Sequence, residues 1–321
     1  MRVPDSIERA IDREATAVPG KALVRAAESL SDRYREPGRA EAPSTHVLSD
    51  IERLAYAIVR APATFAAVSA VLDELRDRAP GLRLDTLLDL GAGPGAATWA
   101  ALLQRDDLQQ ATLIEQDRGF IDLGRRILES AALRPPASIE WRCADLKRVS
   151  EIPVPAHDLV IMSYALGEVG AAAIARAWAA TRQVLVVIEP GTPFHFSGVL
   201  AAREQLIAAG AFIAAPCPHA LACPMAGTDW CHMAARVERT SLHRRLKGAE
   251  LPYEDEKFSY VIATRTPVDR AAARIVRRPD VQKGFVALTL CTPEGLQRQG
   301  VPRSQREAFK RARKVAWGDA W

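Results

Sequence analysis

The chain has 321 residues, of which 48% are hydrophobic and 26% are charged. This composition excludes a disordered chain and is sufficient for one large domain with additions, or for two domains. The N-terminal segment MRVPDSIERAIDREA is too charged to be a secretory signal, and no apolar run approaches the roughly 20 residues that cross a bilayer. We therefore expect a cytoplasmic protein with reduced thiols and no membrane partner.

The net charge of +4 is distributed unevenly along the chain. Residues 1–200 contain 23 Lys and Arg against 27 Asp and Glu, whereas residues 201–321 contain 20 against 12. An excess of positive charge in the C-terminal third favours a polyanionic partner, and an ordinary solvated surface is the alternative.

Residues 1–80 are predicted to be helical, because their apolar residues recur at helical spacing. A loop is expected around residues 37–44, and Pro62 is expected to break or kink the later helices. No catalytic group of residues is present here. The region is therefore expected to serve in packing or in partner binding.

From residue 84 the pattern changes to strands that alternate with helices. The predicted strands are LDTLLDL, QATLIEQD, SIEWRCADL, HDLVIMSYAL and QVLVVIEPG, with helical segments between them. This order predicts a parallel sheet with crossover helices, the doubly wound α/β class. Two later segments, KFSYVIATR and GFVALTLCT, are further predicted strands that we expect to complete the sheet.

A glycine-rich loop follows the first of these strands. Glycines here allow a ligand to approach the backbone, and both dinucleotides and S-adenosylmethionine are bound by such loops. Asp89 would repel a pyrophosphate but attract the amino group and sulfonium of S-adenosylmethionine, and Pro94 removes an N–H that a phosphate would use. S-adenosylmethionine is therefore the favoured cofactor. Its candidate loop residues are Asp89, Gly91, Gly93 and Gly95.

Further candidates stand at the ends of the next three strands. Glu115 ends the second strand, where an acid accepts hydrogen bonds from a ribose diol. Asp145 ends the third and is placed to meet the adenine amine, while Ser163 ends the fourth, at the edge that faces the substrate in methyltransferases. Exposed loop acids are the alternative for Glu115 and Asp145. The Asn/Asp-Pro-Pro-aromatic motif of base-amino methyltransferases is absent, so no catalytic residue is assigned.

Four of the five cysteines lie in the last third of the chain, the first three as Cys-x5-Cys-x7-Cys. Clustered cysteines without a secretory context favour metal ligation over disulfides. The candidate ligands are Cys217, Cys223, Cys231 and Cys291. Four thiolates suit a [4Fe–4S] cluster or an all-cysteine zinc site. Zinc held by three cysteines and one of the histidines at 219, 232 and 243 is also open, and four buried hydrophobes are the remaining alternative. Cys143 is expected in the core.

Basic residues follow the third of these cysteines at roughly helical spacing. This pattern suits contacts with RNA phosphates, and a solvated helix face paired with the acidic run at residues 254–256 is the alternative. The candidate RNA-binding residues are Arg236, Arg239, Arg244, Arg245 and Lys247.

Several segments together resemble one family, the bacterial and mitochondrial small-ribosomal-subunit methyltransferase-like proteins. The matching segments are LLDLGAGPGAATWA, IEPGTP, CPHALACP, DWCHMAARVERTSLHRRLKG and YEDEKFSYV. The resemblance implies S-adenosylmethionine binding through the glycine-rich loop. It implies an iron–sulfur cluster on the four cysteines. It also implies work on small-subunit ribosomal RNA, as a methyltransferase or as an assembly factor.

We therefore expect a class I S-adenosylmethionine-dependent methyltransferase fold with additions. The expected parts are a helical region (1–80), a cofactor-binding core (81–215), a basic metal-binding insertion (216–255), strands completing the sheet (256–300) and a basic tail (301–321). The expected partner is small-subunit ribosomal RNA or a small-subunit precursor, and not DNA. The alternatives are a non-catalytic S-adenosylmethionine-binding assembly factor and a small-molecule methyltransferase with structural zinc.

Overall fold

The computed structural model describes residues 1–35, 48–133, 138–151 and 154–321, and these residues form two β-sheets. The strands are β1 (Thr86–Leu90), β2 (Gln110–Glu115), β3 (Ser138–Cys143), β4 (His157–Ser163), β5 (Thr181–Pro190), β6 (Phe212–Ala215), β7 (Met233–Glu238), β8 (Tyr253–Thr264), β9 (Arg274–Ile275), β10 (Asp280–Gln282), β11 (Phe285–Thr292) and β12 (Gly295–Pro302). The helices are α1 (Asp5–Thr16), α2 (Gly20–Arg35), α3 (Asp50–Val59), α4 (Ala61–Arg78), α5 (Ala96–Gln104), α6 (Arg118–Ala131), α7 (Leu166–Val169), α8 (Ala172–Ala179), α9 (Pro193–Ala208), α10 (Ser241–Lys247) and α11 (Arg306–Ala312), with a 3-10 helix at Leu146–Glu151. The loop expected at residues 37–44 lies outside the described residues.

The larger sheet has the strand order β3-β2-β1-β4-β5-β8-β6, and β7 also pairs with β8. Strands β1 to β5 are parallel to their neighbours in the sheet, whereas β8 is antiparallel to β5. Chain order reverses between β1 and β4, and a ligand binds such a sheet outside the carboxyl ends of the strands at this point. The predicted doubly wound fold is confirmed. The strand order, with one antiparallel strand near its edge, is that of class I methyltransferases.

Helices bury both faces of this sheet. Successive side chains of a strand point to opposite sides, so neighbouring residues belong to different cores. Leu87 and Ile161 belong to a core formed with helices α1 to α6, while Leu88 and Val160 belong to a core formed with α8 and α9. The strands therefore read as continuous apolar runs, as expected for a sheet covered on both sides.

The N-terminal residues form helices, as their periodicity predicted, and these helices cover one face of the larger sheet. The apolar side of α4, including Phe65 and Val68, is buried in the same core as Leu87. Ser49 begins α3 with a capping box, in which its hydroxyl accepts from the Glu52 N–H and the Glu52 carboxylate accepts from the Ser49 N–H. In the described part of the chain, no single helix has the length and apolar composition to cross a membrane, although α3 and α4 together, bent by 43°, pass that test.

The smaller sheet consists of β9 to β12 and is antiparallel. Its core contains Val286, Leu288 and Val301, and Ala312 of α11 packs against them. The prediction that β8 completes the larger sheet is confirmed, but the same prediction for β11 is wrong. Strand β11 pairs with β12 through a turn at residues 292–295, and this local antiparallel pairing occupies the edge that would otherwise join the larger sheet.

Candidate functional site

The glycine-rich loop lies at the carboxyl end of β1, between the ends of β2 and β4. Leu90 is paired with Ile114 on one side and with Met162 on the other, so the loop that follows it lies beside Glu115 and Ser163. Three loop glycines have positive φ: Gly91 (+74°), Gly93 (+55°) and Gly95 (+99°). Side chains rarely adopt this conformation, which explains why the loop needs glycine at each of these positions.

Glu115 supports the glycine-rich loop through its side chain. Its Oε2 accepts a hydrogen bond from the Gly93 N–H at 2.8 Å, and its Oε1 accepts one from the Asp117 N–H at 2.9 Å. The residue is 8% exposed, and burial raises its pKa. Each carboxylate oxygen has two lone-pair sites, so both can accept a further hydrogen bond from a ligand hydroxyl.

Asp89 is fully buried at the start of the loop and is only partly satisfied. Its Oδ2 accepts a hydrogen bond from the Thr98 hydroxyl at 2.7 Å, whereas its Oδ1 has no partner among the described residues. Burial raises its pKa to about 7. A buried acceptor without a partner is uncommon and indicates a place for a donor that is not part of the chain. Thr98 was missed by the sequence analysis, because a threonine inside a helix gives no signal of its own.

Asp145 and Ser163 complete the same edge of the sheet. Cys143 is paired with Glu115, so Asp145 lies two residues beyond that pair, where its Oδ1 accepts from the Lys147 N–H at 2.8 Å. Ser163 ends β4 and is 7% exposed. The structure thus brings the candidate residues of the loop, Glu115, Asp145 and Ser163 to one edge.

Alanine at Gly91 is expected to destabilise the protein more than alanine at Gly93. Both positions have positive φ and carry a similar backbone cost. A Cβ at Gly91 would come within 2.7 Å of the Ala165 Cβ, whereas a Cβ at Gly93 would meet no atom within 4 Å. Overpacking costs about 1–3 kcal/mol, so Gly91→Ala should lower the free energy of unfolding in urea by about that much more than Gly93→Ala. Equal effects would show that the loop relaxes freely away from β4.

Three of the four clustered cysteines lie in the segment between β6 and β7, two strands that pair with the same edge of β8. The fourth, Cys291, comes from β11 of the smaller sheet. All four line one cavity, together with apolar side chains that include Phe196, Met225 and Val276. The prediction that Cys143 belongs to the core is wrong. It is exposed, because β3 is the edge strand of the larger sheet.

The thiols in this cavity influence one another. Burial raises the pKa of Cys231, and the nearby Cys217, Cys223 and Cys291 raise it further. Burial also raises the pKa of Cys291, to about 12, so the surroundings of both groups favour the protonated thiol. Metal ions bind the deprotonated form of cysteine. Occupation of the cavity by a metal would therefore release protons.

The three histidines considered as zinc ligands are placed differently. The Nε2 of His219 lies 3.7 Å from the Cys291 Sγ. His232 is stacked on Trp230 and also contacts Trp317. His243 is fully buried on α10, where its Nε2 lies 3.4 Å from the Glu254 Oε1. Of the three, His219 contacts one of the cysteines, whereas His232 lines the cysteine cavity.

Two buried arginines line the cysteine cavity. Arg274 is 1% exposed and is paired with Glu74, through hydrogen bonds of 2.6 and 3.0 Å. Arg203 is 3% exposed and donates to the carbonyls of His219 and Leu221, both at 2.9 Å. No carboxylate pairs with Arg203 in the described part of the chain, and its Nε has no partner there. Sequence analysis missed both arginines, because only the fold buries them.

A buried cation without an anion is costly, and the cysteines are the groups that could supply the charge beside Arg203. Arg203 lowers the pKa of Cys217, although burial raises it by more. The charge of Arg203 would suit a negatively charged, sulfur-ligated group in this cavity. Within residues 1–35, 48–133, 138–151 and 154–321, however, no three His, Cys, Asp or Glu side chains form a group that could hold a metal ion. The metal centre therefore stays a prediction.

The predicted RNA-binding residues are largely neutralised by an acidic strand. Arg236 forms two hydrogen bonds with Asp255, at 2.8 and 3.1 Å. Arg239 and Lys247 both bind Glu254, at 2.6 and 2.8 Å. Arg244 is partly buried and Arg245 is exposed. For three of the five candidates the structure shows pairing with the acidic run, which was the alternative interpretation.

The strand order and the crevice at β1 define a class I methyltransferase-like protein. The model of the family described as mitochondrial small ribosomal subunit Rsm22 matches residues 50–321, and the chain belongs to this family. It is 27% identical over 287 residues to the human mitochondrial ribosome assembly protein METTL17, covering 83% of this chain and 61% of that protein. It is 24% identical over 334 residues to the mitochondrial Rsm22-cox11 tandem protein 2 of Schizosaccharomyces pombe, covering 86% of this chain and 44% of that protein.

The chain thus spans about half of the length of the curated relatives that it matches. Among solved structures, an O-methyltransferase family protein from Burkholderia thailandensis is similar, with 15% identity, a TM-score of 0.46, and coverage of 76% of this chain and 71% of that one. The predicted membership in the small-subunit methyltransferase-like family is confirmed. The cytoplasmic location remains a prediction, since both relatives are named as mitochondrial.

Proposed function

We propose that the protein binds S-adenosylmethionine in the crevice at the carboxyl ends of β1, β2 and β4, and that it acts on the small ribosomal subunit or its precursor RNA. One observation carries the first part: a glycine-rich loop with three positive φ angles is held by Glu115 beside the partly satisfied Asp89. The second part rests on the family and on the human relative, which is named as a ribosome assembly protein.

The residues of the crevice suggest how the cofactor is held. The backbone amides of the glycine-rich loop would approach the methionine part of S-adenosylmethionine. The Oδ1 of Asp89 would accept a hydrogen bond from the amino group of the cofactor. Glu115 would accept from the ribose hydroxyls while it keeps the loop in place. Asp145 would meet the adenine amine, and Ser163 would lie at the substrate side. Bound S-adenosylmethionine would supply an electrophilic methyl group.

A non-catalytic role is the second candidate, in which the bound cofactor stabilises an assembly factor. The observation that favours it is the segment after Ser163, which lacks the motif that holds a target amino nitrogen. Tyr164, the next residue, has a positive φ of 57°, and its hydroxyl donates to the Glu256 carboxylate at 2.9 Å. That side chain is therefore occupied by an internal hydrogen bond.

We also propose that the four cysteines hold a [4Fe–4S] cluster. A tetrahedral zinc ion with Zn–S bonds of about 2.3 Å would require sulfurs about 3.8 Å apart. In a [4Fe–4S] cluster each cysteine binds a different iron, so the sulfurs need not converge on one point. Arg203 and Arg274 would offset the negative charge of the thiolates. Zinc bound by cysteines with or without His219 is the alternative.

The substitution Glu115→Gln is expected to weaken the binding of S-adenosylmethionine. Glutamine has one acceptor oxygen, so it cannot both hold the Gly93 and Asp117 amides and accept from a ribose diol. A lost hydrogen bond to a charged acceptor costs about 1.5–3 kcal/mol, so the Kd should rise by about 10-fold or more in titration calorimetry. Glu140→Gln, an exposed acid on β3, is the matched control. Unchanged affinity in Glu115→Gln would remove Glu115 from the cofactor site.

Transfer of a labelled methyl group separates the two candidate roles. The full chain would be incubated with methyl-tritiated S-adenosylmethionine and either small-subunit ribosomal RNA or purified small subunits. Label in the RNA, and less of it with Glu115→Gln, supports a methyltransferase. Binding of both cofactor and RNA without transfer supports the assembly factor. No affinity for RNA or for small subunits would contradict the proposal and favour the alternative of a small-molecule methyltransferase.

A further inference from the structure

The C-terminal unit, defined as residues 265–321, carries the entire charge excess of the last third of the chain. It contains 13 Lys and Arg against 5 Asp and Glu, a net charge of +8, whereas residues 201–264 contain 7 of each. The unit comprises the smaller sheet and α11. The net positive charge therefore lies outside residues 201–264. That range includes β7 and α10 (residues 233–247, called the α10 segment below), in which the sequence suggested RNA contacts.

Several cations of the C-terminal unit are exposed and lack an acidic partner among the residues that the structure describes. They are Arg278, Lys283, Arg303, Arg306 and Lys314. Arg298 has a distant partner, Asp280, at 3.8 Å, and both side chains are largely exposed. Exposed cations without partners repel one another, so a surface that gathers them favours a bound polyanion.

Three of these cations meet at one end of the smaller sheet. The Arg303 N–H donates to the Gly284 carbonyl at 2.8 Å, which places Arg303 beside Lys283. Arg306 begins α11 three residues further on. Phe285 is paired with Pro302 at this same end of the sheet. Lys283, Arg303 and Arg306 thus lie near the open end of the β11–β12 hairpin, away from its turn.

Phe285 adds an exposed aromatic ring to this basic end. It is 38% exposed, and it lies on the opposite face of the sheet from Val286, which packs in the core under α11. Its ring covers Gly300, where a Cβ would come within 2.6 Å of the ring. An exposed ring next to cations is the arrangement by which proteins stack an unpaired base while binding its phosphates.

We propose that this end of the smaller sheet is the principal RNA-contact surface, with Lys283, Arg303 and Arg306 on phosphates and Phe285 on an unpaired base. The inference rests on the proposed function, because it requires an RNA partner. The opposite end of the same hairpin, where Cys291 is paired with Leu296, lines the cysteine cavity. The cavity thus holds one end of the sheet while the other end faces the RNA.

The test measures RNA affinity of the full chain at several salt concentrations by fluorescence anisotropy. The probes are a labelled 20-nucleotide oligouridine and transcribed small-subunit ribosomal RNA. Three variants each remove three cations. They are Lys283→Gln/Arg303→Gln/Arg306→Gln on the proposed surface, Arg236→Gln/Arg244→Gln/Arg245→Gln on the α10 segment, and Lys21→Gln/Arg25→Gln/Arg125→Gln as a charge-matched control on the N-terminal side.

The first variant should bind both probes about 10-fold more weakly or worse, and its slope of log affinity against log salt should be smaller by about 2. The other two variants should change affinity by less than about 3-fold. Phe285→Leu should bind oligouridine about 5-fold more weakly with an unchanged slope, since only stacking is lost. Retained affinity in the first variant with loss in the α10 variant would overturn this inference and leave the RNA role intact. No binding of either probe by the unaltered chain would overturn both.

Discussion

The substitution Glu74→Gln is expected to destabilise the protein by about 3–5 kcal/mol at pH 7, because Glu74 pairs with the buried Arg274. Arg274 is 1% exposed, and its guanidinium also donates to the carbonyls of Pro216 and Gly318, at 2.8 and 2.9 Å. The pair joins α4, the start of the cysteine segment and the C-terminal unit. Removal of the carboxylate leaves a buried cation without its anion, and urea unfolding at pH 7 would measure the loss.

The pH dependence gives this prediction a sharper form. Burial raises the pKa of Glu74, but hydrogen bonds and charge from Arg274 and Arg78 lower it by more, so the net shift is downward from 4.5. An acid with a lowered pKa contributes stability above its ordinary value and loses it as the pH falls through the folded value. The difference between the unaltered chain and Glu74→Gln should therefore shrink below about pH 4.

Glu14→Gln is the control for this experiment, since it breaks a more exposed pair with Arg126. Its effect should be below about 1 kcal/mol. A similar, small loss in Glu74→Gln would show that the carbonyl acceptors alone satisfy Arg274. A difference that persists at low pH would show that the effect is steric and does not depend on charge.

The substitution Cys231→Ser is expected to make the protein lose the proposed iron–sulfur cluster. All four cysteines line one cavity, and the loss of one of four ligands removes an Fe–S bond that serine replaces poorly. Anaerobically purified protein should contain on the order of four irons and four sulfides per chain, and the variant close to none. Because metal binding contributes folding energy, protease sensitivity should rise in the segment between β6 and β7 and in the C-terminal unit.

Cys143→Ser is the matched control, because this fifth cysteine is exposed and lies away from the cavity. It should keep its full metal content. Zinc without sulfide in the unaltered chain would replace the cluster by a zinc site and keep the structural role. An absence of any metal would show that the four cysteines serve only as small buried hydrophobic residues, and it would contradict this part of the proposal.

Arg203→Met tests the charge argument independently of the ligands. Methionine keeps much of the apolar volume but removes the cation that has no carboxylate partner in the described residues. If the cavity holds an anionic group, iron should be lost from the variant several-fold faster on exposure to a chelator. If the cavity holds only protonated thiols, the variant should instead be more stable in urea, since a costly buried charge is gone.

The sequence predicted strands β1 to β5 and β8 of the larger sheet but not β6 and β7, because the evidence for the predicted strands was local. Apolar runs bounded by glycine, proline and acidic residues show where β1 to β5 begin and end, and their alternation with helices requires parallel crossovers. The glycine-rich loop and the acids after β2 and β3 were found because carboxyl ends of parallel strands meet at one edge. Their positions follow from chain order and need no knowledge of side-chain packing.

The sequence could not show features that depend on contacts between distant segments. Strand β11 has the same apolar pattern whether it joins the larger sheet or pairs with β12, so the pattern could not assign its sheet. The spacing of Arg236 and Arg239 indicated a basic face, but the acidic partners of these residues follow 19 and 15 residues later, on a strand that pairs with β7. The boundaries of the expected metal-binding insertion, residues 216 and 255, stay a prediction. Strand β7 and helix α10 lie between them.

The sequence alone therefore determined the fold class, the family and the crevice proposed for the cofactor, since each depends on short motifs and on their order. Tertiary structure decided which charges remain free, which arginines become buried, and how Cys291 comes to line a cavity with cysteines 60 to 74 positions earlier. The physical reason is that burial and ion pairing are sums over neighbours in space. Neighbours such as Glu74 and Arg274, 200 residues apart, become known only when the chain is folded.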